Sequence, residues 1–268
     1  MIQDGRCVAL VLGGGGARGI AHIGAIEELE RRGYRIGSVA GTSMGALVGG
    51  MYAAGHLDRF REWLCTLDRY KVFSLVDFSL STDGLVKGDR VIAALKQLVP
   101  DVRIERMKLP FAAVAADLVT GREVVFDRGG LYDAVRASIS IPSIFRPVHR
   151  SGMILIDGGT VNPVPVNRVR RTPGDRLVAV DVCGPYAEEP GRRARASLNY
   201  YKMLVASSQI MQRRLACFVC ERHRPDLLVE LSADSYGIFE FYRAAEIVEA
   251  GRRAMRAALE REAVCCAG

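Results

Sequence analysis

The 268-residue sequence has no uninterrupted apolar run of the ~20 residues that a membrane-crossing helix needs. It is therefore expected to be soluble or membrane-peripheral. The N-terminus also lacks the basic stretch, apolar segment and small-residue cleavage site of a secretory signal. Met1-Ile2-Gln3-Asp4-Gly5-Arg6 leads straight into an apolar strand candidate. A cytoplasmic location, peripheral to the inner membrane face, is the resulting expectation. Dense cysteine pairing is absent too. The seven cysteines, an odd number, are scattered as Cys7, Cys65, Cys183, Cys217, Cys220, Cys265 and Cys266, unlike a small disulfide framework and in keeping with a reducing compartment. Cys217 and Cys220 form a C-x-x-C, but no second pair accompanies them, so idle thiols are favoured over metal or redox chemistry.

What is present suits an ordinary folded domain. The chain is 49% hydrophobic and 25% charged, far from disordered or fibrous compositions. Its length lies near the upper size of a single hydrophobic core, about 250–300 residues, so one domain over 1–268 is expected. The net charge of +7 is concentrated at Arg192, Arg193 and Arg195, at Arg213 and Arg214, and at Arg252, Arg253 and Arg256. These clusters attract anionic lipid surfaces or nucleic acid, or are simply solvated helix faces, and the last reading is favoured for each.

Apolar runs ending in turns alternate with segments of helical period, the pattern of parallel strands with crossover helices. Strands are expected at 7–12, 36–40, 111–116, 153–156 and 177–182. Several are nearly all apolar, as strands covered on both faces must be, so the fold class is α/β: a three-layer α/β/α sandwich with a central mostly parallel sheet. Helices are expected at 19–32, 44–54, 58–67, 88–98, 131–138, 197–219 and 242–262, and 184–196 reads as an exposed loop.

The segment Gly13-Gly14-Gly15-Gly16-Ala17-Arg18-Gly19 follows the first strand and opens a helix, where backbone amides converge on negative charge. Gly14, Gly16 and Gly19 satisfy a dinucleotide G-x-G-x-x-G, but the next strand runs into Ala40-Gly41-Thr42-Ser43 without the acidic residue that would hold a ribose. A phosphate-binding P-loop fails because Ile20 stands where its lysine belongs. The remaining reading is an oxyanion hole, in which amides stabilise a tetrahedral intermediate.

Such a hole needs a nucleophile. Gly41-Thr42-Ser43-Met44-Gly45 matches G-x-S-x-G between an apolar strand and a small-residue helix, the context of a nucleophile elbow. The turn exposes the Ser43 hydroxyl, and the Met44 amide is a further anion donor.

A serine hydroxyl also needs a base. The histidines are His22, His56, His149 and His223, and only His223 follows both Ser43 and Asp157 in the order of an α/β-hydrolase triad. It lies in a charged run that reads as surface. Asp157 is the stronger candidate: Met153-Ile154-Leu155-Ile156 ends at this carboxylate, and Gly158-Gly159 then turn the chain.

Three blocks now stand in order: Gly14-Gly15-Gly16-Ala17-Arg18-Gly19, Gly41-Thr42-Ser43-Met44-Gly45 and Asp157-Gly158-Gly159. Together they resemble the patatin-like phospholipase family. Ala137-Ser138-Ile139-Ser140-Ile141-Pro142 and the 117–126 segment resemble two further blocks of that family. The resemblance covers the core at 5–185 well and a C-terminal helical part at 197–262 more loosely. It implies a Ser–Asp dyad without histidine, on a three-layer sandwich, that hydrolyses phospholipid or other lipid acyl esters. Carried over by position, Ser43 is the nucleophile, Asp157 the base, and the amides of Gly14, Gly15 and Gly16 the oxyanion donors. Gly13 departs from the pattern, since many members have Asp or Ser there.

The implied mechanism passes through an acyl-enzyme and requires no metal or cofactor. The expected partners are a lipid acyl ester and an anionic membrane surface, with no nucleic acid. Arg18 either holds the glycine loop or attracts an anionic headgroup. Residues 72–80 read as ordinary packing, with a lid over the acyl chain as the alternative.

Overall fold

The computed structural model describes residues 6–75, 88–187 and 200–267. β1 (Cys7–Leu12) is the central strand, and from Val8 to Leu12 it is fully buried. The pleat divides its side chains: Val8, Leu10 and Leu12 belong to one hydrophobic core, Ala9 and Val11 to another. An all-apolar strand covered on both faces is the reason for a layered sandwich.

A 3₁₀ turn over Gly16–Ile20 leads into α1 (Ala21–Arg31), and β2 (Arg35–Thr42) then pairs parallel with β1. After β2 come α2 (Met44–Ala53), α3 (Leu57–Cys65), α4 (Arg69–Leu75) and α5 (Asp89–Leu98). β3 (Phe111–Asp117) turns back through a short β4 (Glu123–Phe126), and α6 (Leu131–Ser138) precedes the hairpin of β5 (Val148–Arg150) and β6 (Met153–Asp157). β7 (Arg176–Gly184), α7 (Tyr200–His223), β8 (Leu227–Ser232) and α8 (Ala244–Ala267) complete the described chain. The strands form one sheet in the order β5-β6-β3-β2-β1-β7-β8, with β4 also paired to β3.

The mostly parallel sheet agrees with the sequence reading, but β6 does not follow the parallel pattern. It runs antiparallel to β3. Ala113 pairs with both Gly41 and Phe126, and Ala115 with both Val124 and Asp157. β4 thus occupies one side of β3, while β2 and β6 share the other side end to end. The C-terminal ends of β2 and β6 point at each other, and these are the ends that carry Ser43 and Asp157.

Two further differences concern elements with weak sequence signals. β8 adds a strand within the C-terminal part expected to be helical, and its Leu227, Val229 and Leu231 are buried while Glu230 is exposed, a period-2 pattern. α4 covers 69–75, so part of the 72–80 segment is helical, while 76–80 lies outside the described residues. The arginines at 192, 193 and 195 also lie outside them. Arg252 bonds Glu27 and Glu249, and Arg256 reaches Glu28 at 3.5 Å, so this cluster braces α8 against α1. At that crossing the backbones touch: a Cβ on Gly24 would lie 1.8 Å from the Val248 carbonyl oxygen, and one on Gly251 1.8 Å from that of Ala21. Among the described residues, no helix is long and apolar enough to cross a membrane.

Candidate active site

Three loops at the C-terminal end of the central strands build the site. The first is the glycine loop after β1. The Gly13 N–H donates to the Val180 carbonyl and the Gly14 N–H to that of Pro163, each at 2.9 Å. A glycine at 14 keeps the loop close to Ser43, because a Cβ there would lie 3.3 Å from the Ser43 Cβ. Gly16 adopts φ +58, and a Cβ on it would come within 2.7 Å of the Ile238 carbonyl oxygen.

Arg18 is buried and holds this loop, donating from Nε to the Gly15 carbonyl at 3.1 Å and from Nη1 to the Ala233 carbonyl at 2.5 Å. Of its two expected roles, the structure supplies loop bracing. His22, fully buried, donates from Nε2 to the Gly13 carbonyl at 2.7 Å. Burial pulls its pKa down to about 4, so the imidazole is neutral at physiological pH. This bracing histidine was missed in the sequence, where an H-I-G run in a helix carries no signal of an inward-facing ring.

Because the Gly14 N–H is already committed to Pro163, Gly14 drops out of the expected set of amide donors. The N–H groups of Gly15, Gly16 and Met44 have no partner among the described residues. Met44 is also the first residue of α2, where the helix dipole favours negative charge.

The second loop is the elbow. Ser43 has φ 55 and ψ −122, a conformation strained for a residue with a side chain and typical of functional turns. Its glycines are needed for close approach: a Cβ on Gly41 would lie 2.3 Å from the Gly45 carbonyl oxygen, and one on Gly45 2.1 Å from that of Leu12. Gly19 has the same reason, since its Cβ would lie 2.5 Å from the Met44 Cβ.

The third loop begins at Asp157. Its Oδ2 accepts a 2.5 Å hydrogen bond from the Ser43 hydroxyl, and its Oδ1 accepts the Gly159 N–H at 2.7 Å. Gly158 packs so closely that a Cβ would lie 2.3 Å from the Val114 carbonyl oxygen. Burial raises the Asp157 pKa to about 6, against the lowering effect of the Ser43 and Gly159 hydrogen bonds.

Both members of the pair are held from the last residue of α6 and the segment that follows it. The Ser43 N–H donates to the Ser138 hydroxyl at 2.8 Å, and that hydroxyl donates onward to the Val114 carbonyl at 2.6 Å. The Asp157 N–H donates to the Ser140 carbonyl at 2.9 Å. The 137–142 block thus has a physical job that its sequence alone did not reveal.

The other histidines stand apart from this arrangement. His223 is exposed at the end of α7, His149 is exposed on β5, and His56 precedes α3. Cys217 and Cys220 are free thiols, one exposed and one buried.

Ser43 lies where two chambers meet. One, of about 140 Å³, is bounded by Met44, Leu47, Phe60, Leu64, Leu95 and Phe241 among others, and its accessible wall is wholly apolar. Val72 and Leu75 of α4 also line it, which gives the segment from 72 a place on the cavity wall. The second chamber is mixed in character and carries Asp157, Asp181, Cys183, Gln212 and Arg213. Ser43, Gly16, Ile141, Ile144 and Ile238 border both. Burial raises the pKa of Asp181 to about 6 and that of the Cys183 thiol to about 11, so this thiol is not an activated nucleophile.

The chain is similar to known proteins both in sequence and in fold. A family model described as Patatin-like phospholipase matches residues 10–169, more than half of the chain. An uncharacterized NTE family protein of Mycobacterium tuberculosis is 43% identical over 191 residues, covering 71% of this chain and 53% of that protein. Another uncharacterized NTE family protein of that species is 31% identical over 278 residues, covering 96% of this chain and 47% of its own length. The chain thus spans about half the length of these mycobacterial relatives. Patatin-like phospholipase domain-containing protein 6 of Mus musculus is 31% identical over 188 residues, covering 68% of this chain and 14% of that protein. Among solved structures, VipD from Legionella pneumophila superposes with a TM-score of 0.51 at 14% identity, covering 97% of this chain and 67% of that one, a likeness of fold. With its family model matched over both the glycine loop and the Ser43–Asp157 pair, the chain belongs to the patatin-like phospholipase family.

Proposed function

We propose that this chain is a serine hydrolase of lipid acyl esters, working through a Ser43–Asp157 dyad and an acyl-enzyme. The observation that carries the reading is the 2.5 Å hydrogen bond between Ser43 and Asp157 at the boundary between an apolar and a mixed chamber. An acyl chain suits the apolar side and a leaving alcohol the other.

In this mechanism the Ser43 oxygen attacks the ester carbonyl carbon as its proton passes to Asp157. The oxyanion that forms is stabilised by the amides of Gly15, Gly16 and Met44 and by the N-terminus of α2, each donor worth ~3–4 kcal/mol in comparable sites. Collapse breaks the bond to the leaving oxygen, which takes the proton from Asp157 and departs as the alcohol. Water then attacks the acyl-enzyme, gives its proton to Asp157, and the released Ser43 oxygen recovers that proton as the fatty acid leaves. Aspartate is suited to this exchange because burial already holds its pKa closer to neutrality.

A lipid surface is the proposed source of substrate. Tyr70 and Phe73 of α4 and Phe239 beside the apolar chamber are all more than half exposed, and such aromatics settle at membrane interfaces.

The test is hydrolysis of para-nitrophenyl acyl esters of graded length, with labelling of Ser43 by a fluorophosphonate located by mass spectrometry. Loss of both in Ser43→Ala is expected. Turnover that survives in Asp157→Asn but disappears in His223→Ala would assign the base to a histidine instead. Absence of turnover on every chain length and on phospholipid panels would favour a binding module on this fold.

A further inference from the structure

We propose that the mixed chamber holds a phosphate on the leaving alcohol, with the guanidinium of Arg213 as its anchor and Gln209 and Gln212 as neighbouring amide donors. This rests on the acyl-hydrolase reading and adds the class of headgroup.

The starting observation is a buried guanidinium nitrogen without an acceptor among the described residues. Nη1 of Arg213 is buried and has no hydrogen-bond partner among the described residues. A buried charged donor left unsatisfied costs the fold more than a neutral one does. The guanidinium carbon sits 3.9 Å from the centroid of the Tyr186 ring, which fixes its plane by stacking but offers no acceptor in that plane. Arg18, the other arginine of the chamber, is different, since the Gly15 and Ala233 carbonyls already use it.

Position supplies the second argument. Ser208, Gln209, Gln212 and Arg213 line the chamber from one face of α7, at the three- and four-residue spacings that align side chains on a helix. Gln212 also adjoins the dyad: a Cβ on Gly159 would lie 3.2 Å from its Oε1, and the Gly159 N–H is bonded to Asp157. The row therefore places Gln212 beside the reacting bond and Arg213 next to it along the chain, on the wall of the same chamber. A leaving alcohol released from Ser43 on this side extends along it.

The chemistry points to phosphate. A guanidinium presents a planar fork of donors that matches two phosphate oxygens, and the carboxamide of Gln209 and the second N–H of the Gln212 amide, whose first donates to the Ser208 hydroxyl at 3.3 Å, add donors for the others. The acidic side chains facing the chamber are Asp157, used by Ser43 and Gly159, and Asp181, whose Oδ1 accepts the Cys183 N–H at 2.8 Å. Arg18 and Arg213 act on Asp181 in one electrostatic sense and Glu230 in the other, so the chamber sets two guanidinium groups against its carboxylates.

The experiment compares kcat/KM for a monoacyl ester of glycerol 3-phosphate with that for the monoacylglycerol of the same acyl chain. In the full chain, Arg213→Gln is expected to lower the ratio of the two by at least tenfold, and Arg213→Lys, which keeps the charge but not the fork, by less. Glycerol 3-phosphate is expected to inhibit competitively and inorganic phosphate more weakly, as befits a headgroup subsite. An unchanged ratio, an equal loss on both substrates, or inorganic phosphate inhibiting as strongly as glycerol 3-phosphate would overturn the proposal. Affinity of Ser43→Ala protein for the phosphorylated ester, with and without Arg213→Gln, reads the same subsite independently of turnover. A tenfold loss there together with absent hydrolysis by the wild type would retain the subsite and reject the hydrolase.

Discussion

The backbone N–H of Ser43 donates to the hydroxyl of Ser138 at 2.8 Å, and that hydroxyl donates in turn to the Val114 carbonyl. A buried side chain thus ties the strained elbow to the strand behind it. Removing it in Ser138→Ala leaves the Ser43 N–H and the Val114 carbonyl without that partner, at a cost of roughly 1–3 kcal/mol in stability. Because the bond orients Ser43, the proposed nucleophile, and touches no substrate, kcat is expected to fall about tenfold with KM little changed. Steady-state kinetics and denaturant unfolding check both. Unaltered kcat in a folded variant would show that the elbow does not need this tie.

Asp157→Asn should separate activity from stability. At neutral pH the carboxylate is charged in a buried site, which costs the folded state on the order of 3 kcal/mol relative to the unfolded chain, given a folded pKa of about 6. The amide keeps the shape without that charge. Turnover is expected to drop at least about 10³-fold while the melting temperature at pH 7 rises by a few degrees. A lower melting temperature would mean that the Ser43 and Gly159 hydrogen bonds outweigh the burial of charge.

The pH dependence has two components of opposite sign. Asp157 has its folded pKa raised from 3.8 to about 6, so its contribution to stability is complete below 3.8 and is lost as pH rises through 6. His22 has its pKa lowered from 6.5 to about 4, so its contribution is complete above 6.5 and is lost as pH falls toward 4. The melting-temperature gain of Asp157→Asn should accordingly vanish near pH 4 and grow toward pH 7. Activity follows the ionised base: kcat/KM is expected to fall as pH drops through about 6. A profile flat from pH 5 to 8 contradicts Asp157 as the proton acceptor.

Gly251→Ala tests the contact between α1 and α8. The added methyl would stand 1.8 Å from the Ala21 carbonyl oxygen, so the helices must separate. A loss of at least ~2 kcal/mol is expected from overpacking, despite alanine's better helix propensity. Thermal unfolding measures it, and an unchanged melting temperature would refute the close approach.

Leu47→Trp tests the acyl chamber. Leu47 is buried on the apolar wall, and a larger ring there shortens the space beside Ser43. The optimum in a graded ester series is expected to move toward shorter chains, with the shortest ester the least affected. A uniform loss across all lengths would place the acyl chain elsewhere.

Much of this molecule is visible in local sequence because its signals are local. An apolar run with no polar face, as in Val8–Leu12, needs cover on both sides wherever it sits. Gly41 and Gly45 around Ser43 report a tight strand-to-helix turn whatever the rest of the chain does, and Asp157 closes an apolar strand in the same local way.

Other features depend on partners far away in the chain. The antiparallel course of β6 is set by its pairing with β3, and it brings Ser43 and Asp157 together, 114 positions apart, by an end-to-end meeting that no strand pattern encodes. The loss of Gly14 as a donor follows from the Pro163 carbonyl, the bracing by His22 from Gly13, and the buried guanidinium nitrogen of the mixed chamber from a face of α7 that looks ordinary in sequence.

Residue by residue, then, the chain declares most of its strands, its elbow and the two side chains proposed for acyl chemistry, since propensity, periodicity and glycine sterics act between near neighbours. Folding alone settles which amides stay unpaired, how far burial moves the Asp157 proton and which chamber lies on each side of Ser43. Those are matters of desolvation and of hydrogen bonds between distant segments, and they exist only once the segments are packed.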